Sequence, residues 1–296
     1  MTLRIGRSRA VATETASFGA GKRESHDASA FYRRRLLDHA PETVLGEPQP
    51  VPVDILDRLI CGSSEVMEIV PDDCVALMIT SPPYNVGKEY DEDLSLADYL
   101  DLLHRVLKET FRVLEPGGRA SVNVANLGRK PYLPLNHHVA GLMHDIGFLM
   151  RGEIVWVKAA GAGGSCAWGS WRSAKNPTLR DVHEYVLVAS KGSYSRARVG
   201  PDSITKDEFL AATTSVWNIK PASARRLGHP APFPVELPRR LIELYTFEGD
   251  LVLDPFMGSG STAVAAVETG RHFIGYDNQP DYIEIARARV EAARRI

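Results

Sequence analysis

The sequence predicts an α/β fold built on a mostly parallel sheet. Three observations carry the prediction: short apolar runs of strand length, amphipathic stretches of helix length lying between them, and Pro- or Gly-rich breaks where one gives way to the other. Strands separated by helices make βαβ units, and those bury a parallel sheet on both faces.

The elements follow in chain order. Residues 1–52 mix Arg, Ser, Ala and Pro with little periodicity, apart from a short helical candidate at 31–39, and read as a loosely attached, partly disordered arm. One α/β domain is expected over 53–296. Val75–Thr80 is a strand that must stop at Ser81-Pro82-Pro83, because proline cannot donate to a sheet ladder. Leu96–Leu114 spaces Leu and Val as a helix does and runs into Glu115-Pro-Gly-Gly118, a stop signal. Arg119–Ala125 reads as a strand, Leu135–Ile146 as a helix, and Phe148–Lys158 and His183–Ser190 as strands. The pattern fails over 159–180 and again over 192–226, and the whole stretch 159–228 is expected to be an insertion. Order returns with a helix at Val235–Tyr245, a strand at Leu251–Leu253, a helix at Ser261–Thr269, a strand at Phe273–Tyr276 and a helix at Asp281–Arg295.

Bulk properties narrow the classes. The 296 residues are 44% hydrophobic and 24% charged, with a net charge of −2, so composition alone names no polyanionic partner. The average conceals a basic middle: Lys158–Pro230 holds 11 Lys or Arg against 5 Asp or Glu. That excess suits a polyanion, and it equally suits a solvated loop region. Three cysteines without a CxxC pair, no signal-like start and no long apolar run lead to a reducing, cytoplasmic setting without a membrane span. The His137-His138 pair has no companions at metal-ligand spacing, so no metal is expected.

Two constellations carry chemistry. In the first, Leu251–Thr262 runs a buried strand into a tight turn and a helix, with Gly258 and Gly260 sparing the backbone their Cβ atoms and Ser261 and Thr262 placed to cap the helix. The next strand ends at Asp277, a carboxylate suited to ribose hydroxyls. A GxG turn of this kind also serves NAD, but the GxGxxG run is absent. Asp254 would repel a pyrophosphate and could pair with the ammonium of a methionine moiety. Adenosylmethionine is therefore favoured over NAD. In the second, Ser81-Pro82-Pro83-Tyr84 closes a strand; alone, it is only a rigid turn.

Thr80–Asn85 followed by Asp254-Pro-Phe-Met-Gly-Ser-Gly-Ser-Thr262 resembles the β-group DNA amino-methyltransferases of bacterial restriction-modification systems, over about Leu59 to the C-terminus. The resemblance implies a Rossmann-like adenosylmethionine-dependent methyltransferase fold with a recognition insertion. It makes Ser81, Pro82, Pro83 and Tyr84 catalytic, and it places S-adenosyl-L-methionine against Asp254, Phe256, Gly258, Gly260, Ser261, Thr262 and Asp277. In His229–Pro234, Phe233 and Pro234 would pack on the donor's methionine end. Relatives often carry Gly-Asp where this chain has Gly62-Ser63, and Ser63 receives no role.

The residues fit such chemistry. A base amine is conjugated with its ring and poorly nucleophilic; the Ser81 hydroxyl and the Pro82 carbonyl can accept hydrogen bonds from its two protons and free its lone pair. Tyr84 can stack on a base extruded from the duplex. Within the family, Ser at the first motif position is typical of N4-cytosine enzymes and Asp or Asn of N6-adenine enzymes, so the expected product is N4-methylcytosine, with N6-methyladenine as the alternative. Trp168, Trp171, Arg172, Lys175 and Arg180 are expected to bind double-stranded DNA, although each Trp equally fits a core. His183 and Glu184 are expected to serve structure. A cognate restriction endonuclease is the implied partner, with monomer and homodimer both open. The rival readings are an RNA or protein-amide methyltransferase and a catalytically silent DNA-binding protein.

Overall fold

The computed structural model describes residues 46–83, 94–128, 131–158, 169–222 and 233–295. Among them, eight strands form one sheet: β1 (Arg58–Cys61), β2 (Val75–Thr80), β3 (Leu114–Val124), β4 (Phe148–Val157), β5 (His183–Lys191), β6 (Val216–Asn218), β7 (Leu251–Asp254) and β8 (His272–Asp277), in the spatial order β1-β8-β7-β2-β3-β5-β4-β6. Only β5 runs against its neighbours; every other pairing in this sheet is parallel. The mostly parallel α/β fold expected from the sequence is what forms.

Six α-helices among the described residues accompany the sheet: α1 (Leu96–Val113), α2 (Leu135–Ile146), α3 (Lys206–Ala212), α4 (Glu236–Tyr245), α5 (Ser261–Glu268) and α6 (Pro280–Ala293). Strand β2 is buried at all six positions because apolar groups meet it from both sides. Met78 joins Tyr99, Leu103 and Leu107 of α1 and Val139 and Met143 of α2 in one core. Leu77 and Ile79 turn the other way, toward Leu237 and Leu241 of α4 and Ala263 and Ala266 of α5. None of the described helices is long and apolar enough to cross a membrane.

Several boundaries move. Glu115-Pro-Gly-Gly118 does not separate a helix from a strand; it is a bulge inside β3. The partners jump from Val75↔Leu114 to Leu77↔Arg119, and Gly117 takes φ +79°, so the chain loops out and rejoins the ladder. Strand β1, helix α3 and strand β6 lie where the sequence shows no periodicity. The stretch 159–228 is not one excursion from the sheet, since β5 and β6 both come from it. Part of the positive charge of the basic middle is engaged within the protein. Arg196 bridges Glu115 and Asp250, Arg198 reaches Glu115, Lys191 pairs with Asp73 and Lys158 with Glu184. The expected arm's first 45 residues, with the helix at 31–39, lie outside the described residues.

Candidate active site

The carboxyl ends of β7, β2 and β3 lie side by side, and two turns leave from them. After β7, Asp254-Pro-Phe-Met-Gly-Ser-Gly260 leads into α5. Gly258 and Gly260 have φ of +50° and +82°, a region costly for any residue with a Cβ. A Cβ on Gly260 would lie 2.7 Å from the Ala286 Cβ on α6, so this glycine is needed for helix packing rather than to admit a ligand. Gly258 N–H donates to Asp277 Oδ2 at 2.8 Å, and Gln279 N–H to Oδ1 at 2.8 Å. Burial holds the Asp277 carboxyl above the usual range, and those two N–H bonds pull the other way.

Asp254 faces inward. It is fully buried, accepts from Thr80 Oγ1 (2.7 Å) and the Phe256 N–H (3.1 Å) on one oxygen, and from Thr262 Oγ1 (2.6 Å) on the other. Burial pushes its carboxyl up to about 6. The expected contact with a methionine ammonium therefore gives way to a bracing role, because the carboxylate is sealed from solvent between Thr80 and Thr262. Nor do Ser261 and Thr262 cap α5. Its N-cap is Gly260; the Ser261 hydroxyl donates to the Phe233 carbonyl (2.9 Å), tying the Phe233-Pro234 segment to the turn.

The second turn begins where β2 stops. Ser81 is half-buried and Pro82 buried, next to the donor turn through the Thr80–Asp254 bond. Asn123 of β3 donates its Nδ2 to Ser81 Oγ at 3.3 Å and to Glu184 Oε2 of β5 at 2.6 Å.

The arrangement matches known proteins. The profile of the N6/N4 DNA methylase family covers residues 75–288. The chain belongs to this DNA methylase family. The type II methyltransferase M.MjaI of Methanocaldococcus jannaschii is 28% identical, with 74% of this chain and 86% of that protein covered. M.ScaI of Streptomyces caespitosus is 29% identical over 84% of this chain and 85% of its own length. The type II beta methyltransferase M.BslI of a Bacillus strain is 28% identical over 78% of this chain, but the chain spans only 27% of that relative. Among solved structures, TTHA0409 of Thermus thermophilus, crystallised with S-adenosyl-L-methionine, has a TM-score of 0.65 at 28% identity, covering 80% of this chain and 93% of its own. This DNA methylase is thus an S-adenosyl-L-methionine-dependent amino-methyltransferase of the restriction-modification type, in a family whose target is adenine N6 or cytosine N4.

Three groups of expected site residues can be placed in the methylase. Ser81, Pro82 and Pro83 sit together at the end of β2. Phe256, Gly258, Gly260, Asp277, Phe233 and Pro234 gather at the donor turn, with Phe256 half-buried. Trp171, Arg172, Lys175 and Arg180 are exposed in the segment between β4 and β5, where Gly169 bridges Pro177. At 66% exposed, Trp171 is no core residue. Tyr84, Trp168 and the segment His229–Pro232 lie outside the described residues.

Two further residues join the site without a role assigned from sequence. Thr80 reads there only as the end of a strand and Asn123 as part of one, yet both are buried polar side chains at the site. A polar residue inside an otherwise apolar strand is the signal that could have marked them, since burying it without a partner is costly.

Proposed function

We propose that this protein methylates the N4 amine of cytosine in double-stranded DNA, with Ser81 and the Pro82 carbonyl holding the amine. The observation that carries the reading is the bond between Thr80 and Asp254, which sets the Ser81 turn beside the donor turn at the carboxyl edge of the sheet. The donor site fits the methyl donor. Asp277 ends β8 as a partly exposed carboxylate able to accept ribose hydroxyls, and Phe256 and Pro234 offer apolar surface beside the turn. When bound, S-adenosyl-L-methionine supplies an electrophilic methyl group.

The chain's own residues do the rest. The Ser81 hydroxyl and Pro82 carbonyl accept hydrogen bonds from the two amine N–H groups, drawing the nitrogen toward tetrahedral geometry and freeing its lone pair. Pro82 and Pro83 fix the backbone, so that the carbonyl needs no reorganisation during the reaction. The proton released from the product passes to water. A base inside the duplex cannot reach this edge of the sheet, so the cytosine is extruded, and Tyr84 stacks on it. Trp171, Arg172, Lys175 and Arg180 supply the DNA-facing surface, with Trp168 in the same stretch of sequence. The choice of cytosine rests on a neutral hydroxyl at position 81; N6-adenine is the second reading. A cognate endonuclease is the proposed partner, in the cytoplasm.

Base-resolution mapping of methylated DNA from cells expressing the wild type and Ser81→Ala decides both points. The expected result is N4-methylcytosine at one recurring site, lost in the variant. Methyladenine at that site transfers the assignment to the second reading, and undiminished methylation by Ser81→Ala removes the catalytic role.

A further inference from the structure

Four neighbouring strands each bring one polar residue to the same edge of the sheet. Ser81 follows β2, Asn123 lies near the end of β3, Glu184 near the start of β5, and Lys158 just beyond β4. They form a continuous chain of contacts. Lys158 Nζ donates to Glu184 Oε1, Asn123 Nδ2 donates to Glu184 Oε2 at 2.6 Å, and the same Nδ2 donates to Ser81 Oγ at 3.3 Å. Glu184 and Asn123 are buried, at 6% and 2% exposed.

We propose that Glu184, held by Lys158, is a positioning residue for methyl transfer that acts through Asn123 on Ser81. This inference rests on the reading of Ser81 as the amine-binding residue. An amide side chain presents an oxygen at one end and two N–H donors at the other, and the two orientations are nearly equal in shape. Packing therefore does not choose between them, whereas an ionised carboxylate does, because it only accepts. With Glu184 Oε2 against the amide, Nδ2 must face it, and the second Nδ2 proton is carried toward Ser81 Oγ. The reversed amide would turn its oxygen on the carboxylate and leave Ser81 without this donor.

The consequence reaches the hydroxyl. A serine oxygen accepts up to two hydrogen bonds and donates one. Receiving one bond from Asn123 restricts where its proton and its remaining acceptor direction point. The hydroxyl that must accept from the base amine is then oriented before the base arrives. Lys158 completes the device by binding the far carboxylate oxygen, so that Glu184 keeps one rotamer. A charge pair is needed here because Ser81 has no charge with which to align the amide itself.

Glu184→Gln tests this with little change of volume. Its side-chain amide must turn a donor either on Asn123 Nδ2 or on the Lys158 ammonium. The single-turnover rate of methyl transfer to DNA should fall about tenfold or more, with donor affinity by calorimetry and melting temperature near wild type. Removing the ammonium as well, in Glu184→Gln/Lys158→Met, lets the glutamine oxygen face Asn123. The rate should recover to within about threefold of wild type.

An unchanged rate in Glu184→Gln, or no recovery in the double variant, overturns the inference. A loss of melting temperature that follows the loss of rate also overturns it, since that is what a purely structural pair would give. The two readings separate cleanly: a fully active Ser81→Ala defeats the amine-binding role, while an inactive Ser81→Ala beside a fully active Glu184→Gln defeats this inference alone.

Discussion

Thr80 Oγ1 donates to Asp254 Oδ1 over 2.7 Å, linking residues 174 apart in the chain. Thr262 Oγ1 closes on the other oxygen at 2.6 Å. One buried carboxylate thus locks the strand that ends at the Ser81 turn to the turn at the end of β7 and to the helix that follows it. A methyl-transfer site needs its acceptor and donor subsites held in register, and this bond does that within the fold. The strength of the lock carries an electrostatic cost, and that cost is measurable.

Burial pushes the Asp254 carboxyl up to about 6, against the bonds from Thr262, Thr80 and the Phe256 N–H that pull it down. A carboxyl whose folded value lies above its unfolded value of about 4 destabilises the fold when ionised. The penalty is complete above about pH 6, fades as pH falls through that value, and is gone below about 4. Asp254→Asn keeps the shape without the charge. Between about pH 8 and pH 5 the wild type should gain about 1 kcal/mol on this variant. Thermal melts of the two proteins that run parallel across that range would refute the assignment.

Gly260 stands at φ +82° with its missing Cβ aimed at Ala286. Gly260→Ala should cost roughly 2–4 kcal/mol, from the left-handed backbone together with a Cβ–Cβ overlap. Ala286→Gly removes the Cβ overlap but leaves the 2.9 Å approach to the Ala286 Cα and the backbone strain. It should therefore cost less in the Gly260→Ala background than in the wild type. Urea unfolding of the four proteins measures this coupling, and additive effects would show that the contact carries no energy.

Asp277 accepts backbone N–H groups from Gly258 and Gln279 while its carboxylate remains partly exposed. Its replacement removes the proposed ribose acceptor and loosens the turn at the same time. Asp277→Ala should weaken S-adenosyl-L-methionine at least about tenfold, the loss expected for hydrogen bonds to a charged group. Asp277→Asn should fall between the two. Calorimetry giving wild-type affinity for Asp277→Ala would remove the residue from the donor site.

Arg172, Lys175 and Arg180 lie exposed in the segment between β4 and β5. If they contact phosphates, each change to Ala should reduce the slope of log affinity against log salt by about one, with donor affinity unchanged. DNA binding measured from low to moderate salt checks this. A slope equal to wild type in the triple variant would place the DNA elsewhere.

Much of the fold is legible in the chain. The strands β2, β7 and β8 and the helices α1, α2 and α4 announce themselves because burial on one or both faces imposes a periodic apolar pattern. Helix α3 escapes a reading by periodicity although its start carries a capping box, Thr205 with Glu208. Its seven residues are too few to build a periodic face. Strands β1 and β6 have four and three residues at the two edges of the sheet, and an edge strand imposes little pattern. The bulge at Glu115–Gly118 looks like a helix stop because both need the same residues.

The chain alone determined the class of the protein and the positions of its two turns. Each turn depends on local constraints, prolines that end a strand and glycines that accept positive φ, and such constraints are written in consecutive residues. The tertiary structure decided what the polar side chains do. The place of Asp254 in its motif suggests a ligand contact, yet the residue is sealed between Thr80 and Thr262. Asn123 and Glu184 read as parts of strands, yet Glu184 bonds Asn123, which in turn bonds Ser81. Partners that lie 42 to 174 residues apart in sequence become neighbours only when the sheet assembles, because strand order, not chain order, sets which ends meet.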